Sequence, residues 1–272
     1  MSAKMKGFIL TIIIVLGCVI WENKVVGNNV ERLYTSYYAG VTDLTTDKIY
    51  NMDYSVPVMG NKVSKEKKTV FLTFDDGPSK CTEEILDILK DNNVRATFFL
   101  IGNQINSKTV PSLKRMKKMG CQIGVHTYSH EADIIYASED AYYKDVMKVE
   151  EIIMKKTDVV PLVYRFPWGS NNCYLNGFRK KIVNRLKKNG LEYCDWNVSG
   201  EDSIGDPGAA AIVANVRNNF DMYNEPVVLL HDSATSEETV KALPKIIKMY
   251  KQAGYSFGII SERSKIYQWK LQ

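Results

Sequence analysis

The chain has 272 residues, 45% hydrophobic and 25% charged, enough to bury one substantial core and within the size range of a single-domain α/β barrel. Its 36 basic and 31 acidic residues leave a net charge of +5 with no basic stripe, which argues against nucleic acid as a partner. A solvated surface, or a mild attraction to an anionic envelope, is the remaining reading of the charge.

In chain order, Lys4 and Lys6 precede an apolar run from Phe8 to Trp21, the layout of a secretory n-region and h-region. The run is short for a membrane span of about 20 residues, and no Ala-x-Ala-like cleavage site is evident. Residues 1–24 therefore read as a signal peptide or a signal anchor, with the rest of the chain extracytoplasmic by the positive-inside rule. Val15-Leu16-Gly17-Cys18 also resembles a bacterial lipobox, though apolar residues follow the Cys. Residues 25–68 are polar and rich in Asn and Lys, as in a stalk or linker. Of the five cysteines, Cys81, Cys121, Cys173 and Cys194 lie outside the apolar segment and form no CxxC pair. They read as disulfides or as buried free thiols.

From Thr69 onward, short β-rich runs alternate with amphipathic stretches. The expected strands are Thr69 to Phe74, Val94 to Leu100, Cys121 to Val125, Leu162 to Phe166, Glu192 to Val198, Pro226 to Leu230 and Tyr255 to Ile260. The expected helices lie near Glu83 to Lys90, Val110 to Met119, Glu139 to Lys155, Asn176 to Lys188, Pro207 to Asn218 and Glu237 to Gln252. Such alternation implies parallel strands with right-handed crossovers, and seven units suggest a closed or nearly closed barrel, with an open doubly wound sheet as the alternative.

Active sites of parallel barrels gather at the C-terminal strand ends, so the residues following each strand are the informative ones. The first strand runs into Asp75-Asp76-Gly77-Pro78, two adjacent carboxylates expected to diverge, one to a metal and one to a substrate, ahead of a sharp turn. The same four residues also make a good plain turn. The third strand is followed by His126-Thr127-Tyr128-Ser129-His130, whose spacing would bring both rings to one side of a helical turn. The chain's third and last histidine, His231, closes the sixth strand. All three histidines thus share a rim with the aspartates. One Asp and two His leave positions open on a divalent ion, as catalytic zinc requires, and the same set suits Fe(II) oxygenases. The fourth strand ends in Arg165-Phe166-Pro167-Trp168, where the Arg can hold a carboxylate and the backbone after Pro167 can offer an N–H to an oxyanion.

Together these residues resemble the polysaccharide deacetylase family, the NodB-homology domains of carbohydrate esterase family 4. The likeness runs from about Thr69 to Phe257 and takes in five ordered motifs. It implies a distorted (β/α)7 barrel, a single catalytic domain over 69–272. It also implies hydrolysis of N-acetyl groups on a glycan, peptidoglycan GlcNAc first, with chitin oligomers, exopolysaccharide, O-acetylated xylan or a non-catalytic glycan-binding role as alternatives. By resemblance, Asp75 is the base, and Asp76, His126 and His130 hold one divalent ion, zinc before cobalt or another. Arg165 orients the base, His231 is the acid, and Asp202 pairs with His231. Pro167, Trp168 and Leu229 line the substrate site. Two positions depart from the family pattern: Trp168 stands where Tyr is usual, and Ser203 where Trp is usual.

Overall fold

The computed structural model describes residues 68–175 and 177–270. The expected anchor and nearly all of the expected stalk lie outside the described residues, as does Asn176. Among the described residues, no helix is long and apolar enough to cross a membrane.

Strand β1 (Thr69–Gly77) is central because its sequence leaves nothing to face water: Val70, Phe71, Leu72, Thr73 and Phe74 are all fully buried. This double-sided burial is typical of a strand inside a parallel sheet covered on both faces. Its neighbours are β2 (Thr97–Leu100) and β7 (Val227–His231), and the sheet runs β5-β4-β3-β2-β1-β7-β6, every pairing parallel. The remaining strands on that path are β3 (Gln122–Val125), β4 (Val163–Tyr164), β5 (Glu192–Tyr193) and β6 (Val198–Ser199). A short β8 (Ser256–Phe257) pairs with the first residues of β1.

Among the described residues, seven helices connect or cover the strands: α1 (Thr82–Asp91), α2 (Val110–Lys118), α3 (Ala132–Ile135), α4 (Glu139–Thr157), α5 (Arg179–Lys188), α6 (Ala209–Asn219) and α7 (Glu237–Gln252). Their apolar faces are buried, as with Ile85, Leu86 and Leu89 of α1 and Leu243, Ile246, Ile247 and Tyr250 of α7. Ser138 caps α4 by accepting the Ala141 N–H, which fixes where that helix begins after the site loop. The sheet and the site fall in one compact unit, from which only 184–190 are set apart among the described residues.

Two expectations are corrected. The run Glu192 to Val198 is not one strand, because Asp195 donates its backbone N–H to the Tyr267 carbonyl at 2.9 Å and so leaves the sheet ladder. Consequently β5 and β6 do not pair, and the sheet is a curled half-barrel with a seam rather than a closed ring. The C-terminal segment covers that seam. Gln268 Nε2 donates to the Tyr193 carbonyl (3.0 Å), the Trp269 N–H to Asp195 Oδ2 (2.9 Å) and Trp269 Nε1 to the Trp196 carbonyl (2.9 Å).

The four described cysteines are free. Cys81, Cys121 and Cys194 are the buried thiols of the second expectation, whereas Cys173 is exposed.

Candidate active site

The end of β1 carries two carboxylates that strand alternation would send to opposite faces. A bulge prevents this: Asp75 pairs with Phe99 and Gly77 with Leu100, leaving Asp76 as the extra residue at φ 73°. The two side chains therefore converge rather than diverge. Asp75 Oδ2 lies 3.8 Å and Asp76 Oδ1 3.5 Å from His126 Nε2. The chain then leaves through Gly77 and a cis peptide to Pro78. A Cβ at Gly77 would stand 2.5 Å from Asp232 Oδ2, so only glycine fits between the bulge and that carboxylate.

His126 and His130 do come together, with ring centroids 5.0 Å apart, but not on a helix. The segment is a loop in which Thr127 and His130 take φ of 78° and 57°. Its carbonyls at Thr127 and Tyr128 accept the N–H groups of Gly102 and Asn103, each at 3.0 Å. Asp145 of α4 accepts from the Tyr128 N–H and from the Ser129 hydroxyl (3.2 Å). These contacts replace helical hydrogen bonding and hold the loop.

One ligand atom from each of Asp76, His126 and His130 lies within 4.8 Å of the others. His126 Nδ1 is 2.9 Å from the Arg165 carbonyl; donating there leaves the Nε2 lone pair facing the aspartates. Burial, followed by the neighbouring His130, drives the His126 pKa down to about 3, so the ring is neutral, as a ligand must be. Asp76 Oδ1 is buried without a hydrogen-bond partner and lies 3.4 Å from His130 Nε2. A buried, unpartnered carboxylate oxygen facing two imidazole nitrogens fits a divalent cation.

Arg165, fully buried, is the cross-brace of the site. Its Nη1 donates to Asp75 Oδ1 (2.9 Å) and Thr73 Oγ1 (2.7 Å), its Nε to the Cys194 carbonyl (2.9 Å) and its Nη2 to the Asp195 carbonyl (3.2 Å). The guanidinium also lies 4.3 Å from the Phe99 ring centroid. Burial pushes the Asp75 pKa up, and the charge of Arg165 opposes that rise. Just beyond, Trp168 sits at φ 61°, 50% exposed, with its ring 5.0 Å from that of His130. The Pro167 carbonyl accepts from Tyr136 Oη at 2.9 Å.

Across the site, β7 sets Leu229 beside Thr73 and His231 beside Asp75. Leu229 and His231 share a face by strand alternation. Leu229 is buried. Asp202 grips His231 twice, with Oδ1 2.8 Å from Nδ1 and Oδ2 accepting the backbone N–H at 2.8 Å, while Thr239 Oγ1 donates to Oδ2 at 2.7 Å. Burial disfavours the imidazolium, but the bond and charge of Asp202, then Asp75 and Asp76, outweigh it and bring the His231 pKa to about 9. Burial likewise disfavours the Asp202 carboxylate, yet its bonds from His231 and Thr239 leave its pKa lowered. Ser203 is exposed next to this pair.

All ten residues singled out in the sequence thus fall at one end of the sheet or beside it. Four supporting residues went unread. Asp145 sits on an amphipathic helix, where a carboxylate looks solvated. Thr73 reads as an ordinary strand residue. Asp195 accepts from the Ser170 N–H (3.0 Å) and hydroxyl (2.7 Å) and so ties the Trp168 loop to the seam. Asp232, buried so that its pKa rises to about 7, accepts from Ser79 Oγ (2.7 Å) and Thr82 Oγ1 (2.6 Å). Its place directly after His231 was the one signal available.

The sequence profile of the family described as Polysaccharide deacetylase matches residues 62–194. A peptidoglycan-N-acetylglucosamine deacetylase of Bacillus cereus is 35% identical over 206 residues, which cover 74% of this chain and 72% of that protein. The chain spans 31% of a longer relative, a bifunctional xylanase/deacetylase of Pseudobutyrivibrio xylanivorans. Among solved structures, the catalytic domain of peptidoglycan N-acetylglucosamine deacetylase from Eubacterium rectale superposes with a TM-score of 0.71 at 33% identity, covering 79% of this chain and 99% of that one. A family 4 acetyl xylan esterase from Clostridium thermocellum, solved with a cobalt ion, gives a TM-score of 0.62 at 29% identity, covering 71% of this chain and 89% of that one.

Proposed function

The chain belongs to the polysaccharide deacetylase family, and from that premise we propose that it hydrolyses the N-acetyl amide of GlcNAc residues in peptidoglycan. The observation that carries this reading is the flanking of the Asp76, His126 and His130 cluster by a braced carboxylate, Asp75 with Arg165, and by an ion-paired imidazole, His231 with Asp202. Binding alone calls for neither a base nor an acid. Amide hydrolysis calls for both.

In this reading Asp76, His126 and His130 hold a divalent ion, zinc or cobalt, which supplies Lewis acidity toward an acyl oxygen and toward water. Asp75 takes the proton of the attacking water through the oxygen that Arg165 leaves free, and the hydroxide bonds to the carbonyl carbon. The backbone N–H of Trp168 donates to the resulting oxyanion. His231 delivers its proton to the nitrogen as the oxyanion re-forms the carbonyl and the C–N bond breaks, so the amine leaves neutral together with acetic acid, which ionises to acetate in water. Asp75 then releases its proton and His231 regains one. Leu229, apolar and on the same face as His231, borders the acetyl methyl.

Acetate release from purified peptidoglycan, N-acetylchitotetraose and acetylated xylan tests the assignment. Release from peptidoglycan is expected. Release from xylan alone would make the enzyme an esterase, and binding without release would make it a glycan-binding protein. The Lys4, Lys6 and Phe8 to Trp21 segment supports export, with residues 25–68 as a tether. Protease added to intact cells should then digest the domain after Lys68; protection until lysis would place it inside.

A further inference from the structure

The large aromatics at the mouth of the site stand out, because Trp168 and the so far unassigned Tyr174 are 50% and 48% exposed yet neither is loosely held. Tyr136, itself buried, lies under Tyr174 with ring centroids 5.5 Å apart and planes inclined by 2°, and its ring is 6.2 Å from that of Trp168. Its hydroxyl donates to the Pro167 carbonyl (2.9 Å) and accepts from Asn172 Nδ2 (3.0 Å). Asn172 Nδ2 also donates to the Gly169 carbonyl (2.7 Å), and its Oδ1 accepts the Leu175 N–H (3.2 Å). One buried tyrosine and one asparagine thus fix the backbone on both sides of the two exposed rings. Trp168 in addition holds a left-handed φ of 61°, a conformation that a bulky residue adopts only when its surroundings impose it.

Rings fixed in place with their outer faces left to water present an apolar, flat, polarisable surface, and the less polar C–H face of a pyranose is a natural complement to it. The surface is continuous with the cation site: His130 to Trp168 is 5.0 Å between centroids, and Trp168 to Tyr174 is 5.6 Å. Each step is comparable to the length of one sugar residue in a β-1,4-linked chain. Resting on the deacetylase reading above, we propose that Tyr174, supported by Tyr136 and flanked by Trp168, forms a subsite for the GlcNAc residue adjacent to the one whose acetyl group is removed. The subsite makes the enzyme selective for chains over single sugars, because only a chain reaches both the cation site and Tyr174.

The test compares kcat and KM of the wild type, Tyr174→Ala and Tyr174→Phe on N-acetylchitotetraose and on 4-nitrophenyl acetate, which is too small to reach Tyr174, alongside titration of tryptophan fluorescence with the tetramer. Tyr174→Ala should raise KM for the tetramer by about three- to tenfold, several-fold beyond any change on the small ester. Tyr174→Phe, which keeps the ring, should restore the wild-type value. Equal losses on the two substrates, or no loss on the tetramer, would overturn the subsite while leaving the deacetylase reading intact. If no acetate is released from the tetramer, fluorescence separates the two ideas: tetramer binding weakened in Tyr174→Ala upholds the subsite, absence of binding sinks it, and the deacetylase reading falls only if peptidoglycan also releases no acetate.

Discussion

Replacing Asp202 by Asn keeps the shape of the residue beside His231 and removes its charge. The rise of the His231 pKa from an ordinary 6.5 to about 9 corresponds to about 3 kcal/mol of preference for the imidazolium, most of it supplied by Asp202 against a burial effect of opposite sign. In the variant the burial effect persists, and the more distant charges of Asp75 and Asp76 are left to raise the pKa. A cation in the adjacent cluster reduces their share further. The alkaline limb of kcat/KM, read by acetate release from a soluble N-acetyl glycan oligomer, should move down by about two pH units or more, and the acid limb should move little. Stability gives an independent check. Because His231 binds its proton more tightly folded than unfolded, its contribution is full below about pH 6.5 and is lost as pH rises through about 9. The difference in Tm between wild type and Asp202→Asn should therefore shrink across that window. An alkaline limb that stays in place would show that Asp202 does not set the protonation of His231.

The other expectations concern separate parts of the site. Asp75→Asn should keep bound metal by elemental analysis while turnover falls by about 10² or more, whereas His126→Ala should lose the metal; loss of metal in both would mean that the aspartate roles are misassigned. Asp145→Ala, which touches no proposed ligand, should weaken metal affinity by about 10- to 100-fold in a chelator competition, because the loop between His126 and His130 loses its anchor. Arg165→Met leaves Asp75 buried without its counter-charge and should cost about 3–5 kcal/mol in urea unfolding at pH 8. That deficit should shrink at pH 5, where the carboxyl is free to take up a proton; an equal deficit at both pH values would place the damage in lost packing instead.

The site was legible because strand ends of a parallel sheet collect at one rim, so Asp75, Asp76, His126, Arg165 and His231 could be grouped without knowing the strand order. What could not be read depends on contacts between chain-distant residues. The strand expected over Glu192 to Val198 has the apolar content of a strand, but its central residue bonds to a carbonyl more than 70 positions later, and no local pattern encodes that. His126 and His130 were rightly brought together by an incorrect route, since a spacing of four fits a helical turn and also a loop with two left-handed residues. Asp145 and Asp195 look like solvent-facing charge until their backbone and hydroxyl partners are seen.

The bulge at the end of β1 bears differently on the two carboxylates in evolutionary terms. Asp75 occupies regular strand backbone, so a mutation there changes the chemistry and leaves the chain path alone. Asp76, at φ 73°, belongs to a conformation that Asp, Asn and Gly tolerate and β-branched residues resist. A lineage that abandons catalysis can therefore change position 75 without rebuilding the backbone, provided the buried Arg165 is replaced along with its counter-charge, whereas position 76 stays confined to a few residue types for as long as the bulge persists. Surviving Asp or Asn at that second position is then a mark of inherited backbone geometry, and by itself a poor indicator that a descendant still performs the reaction.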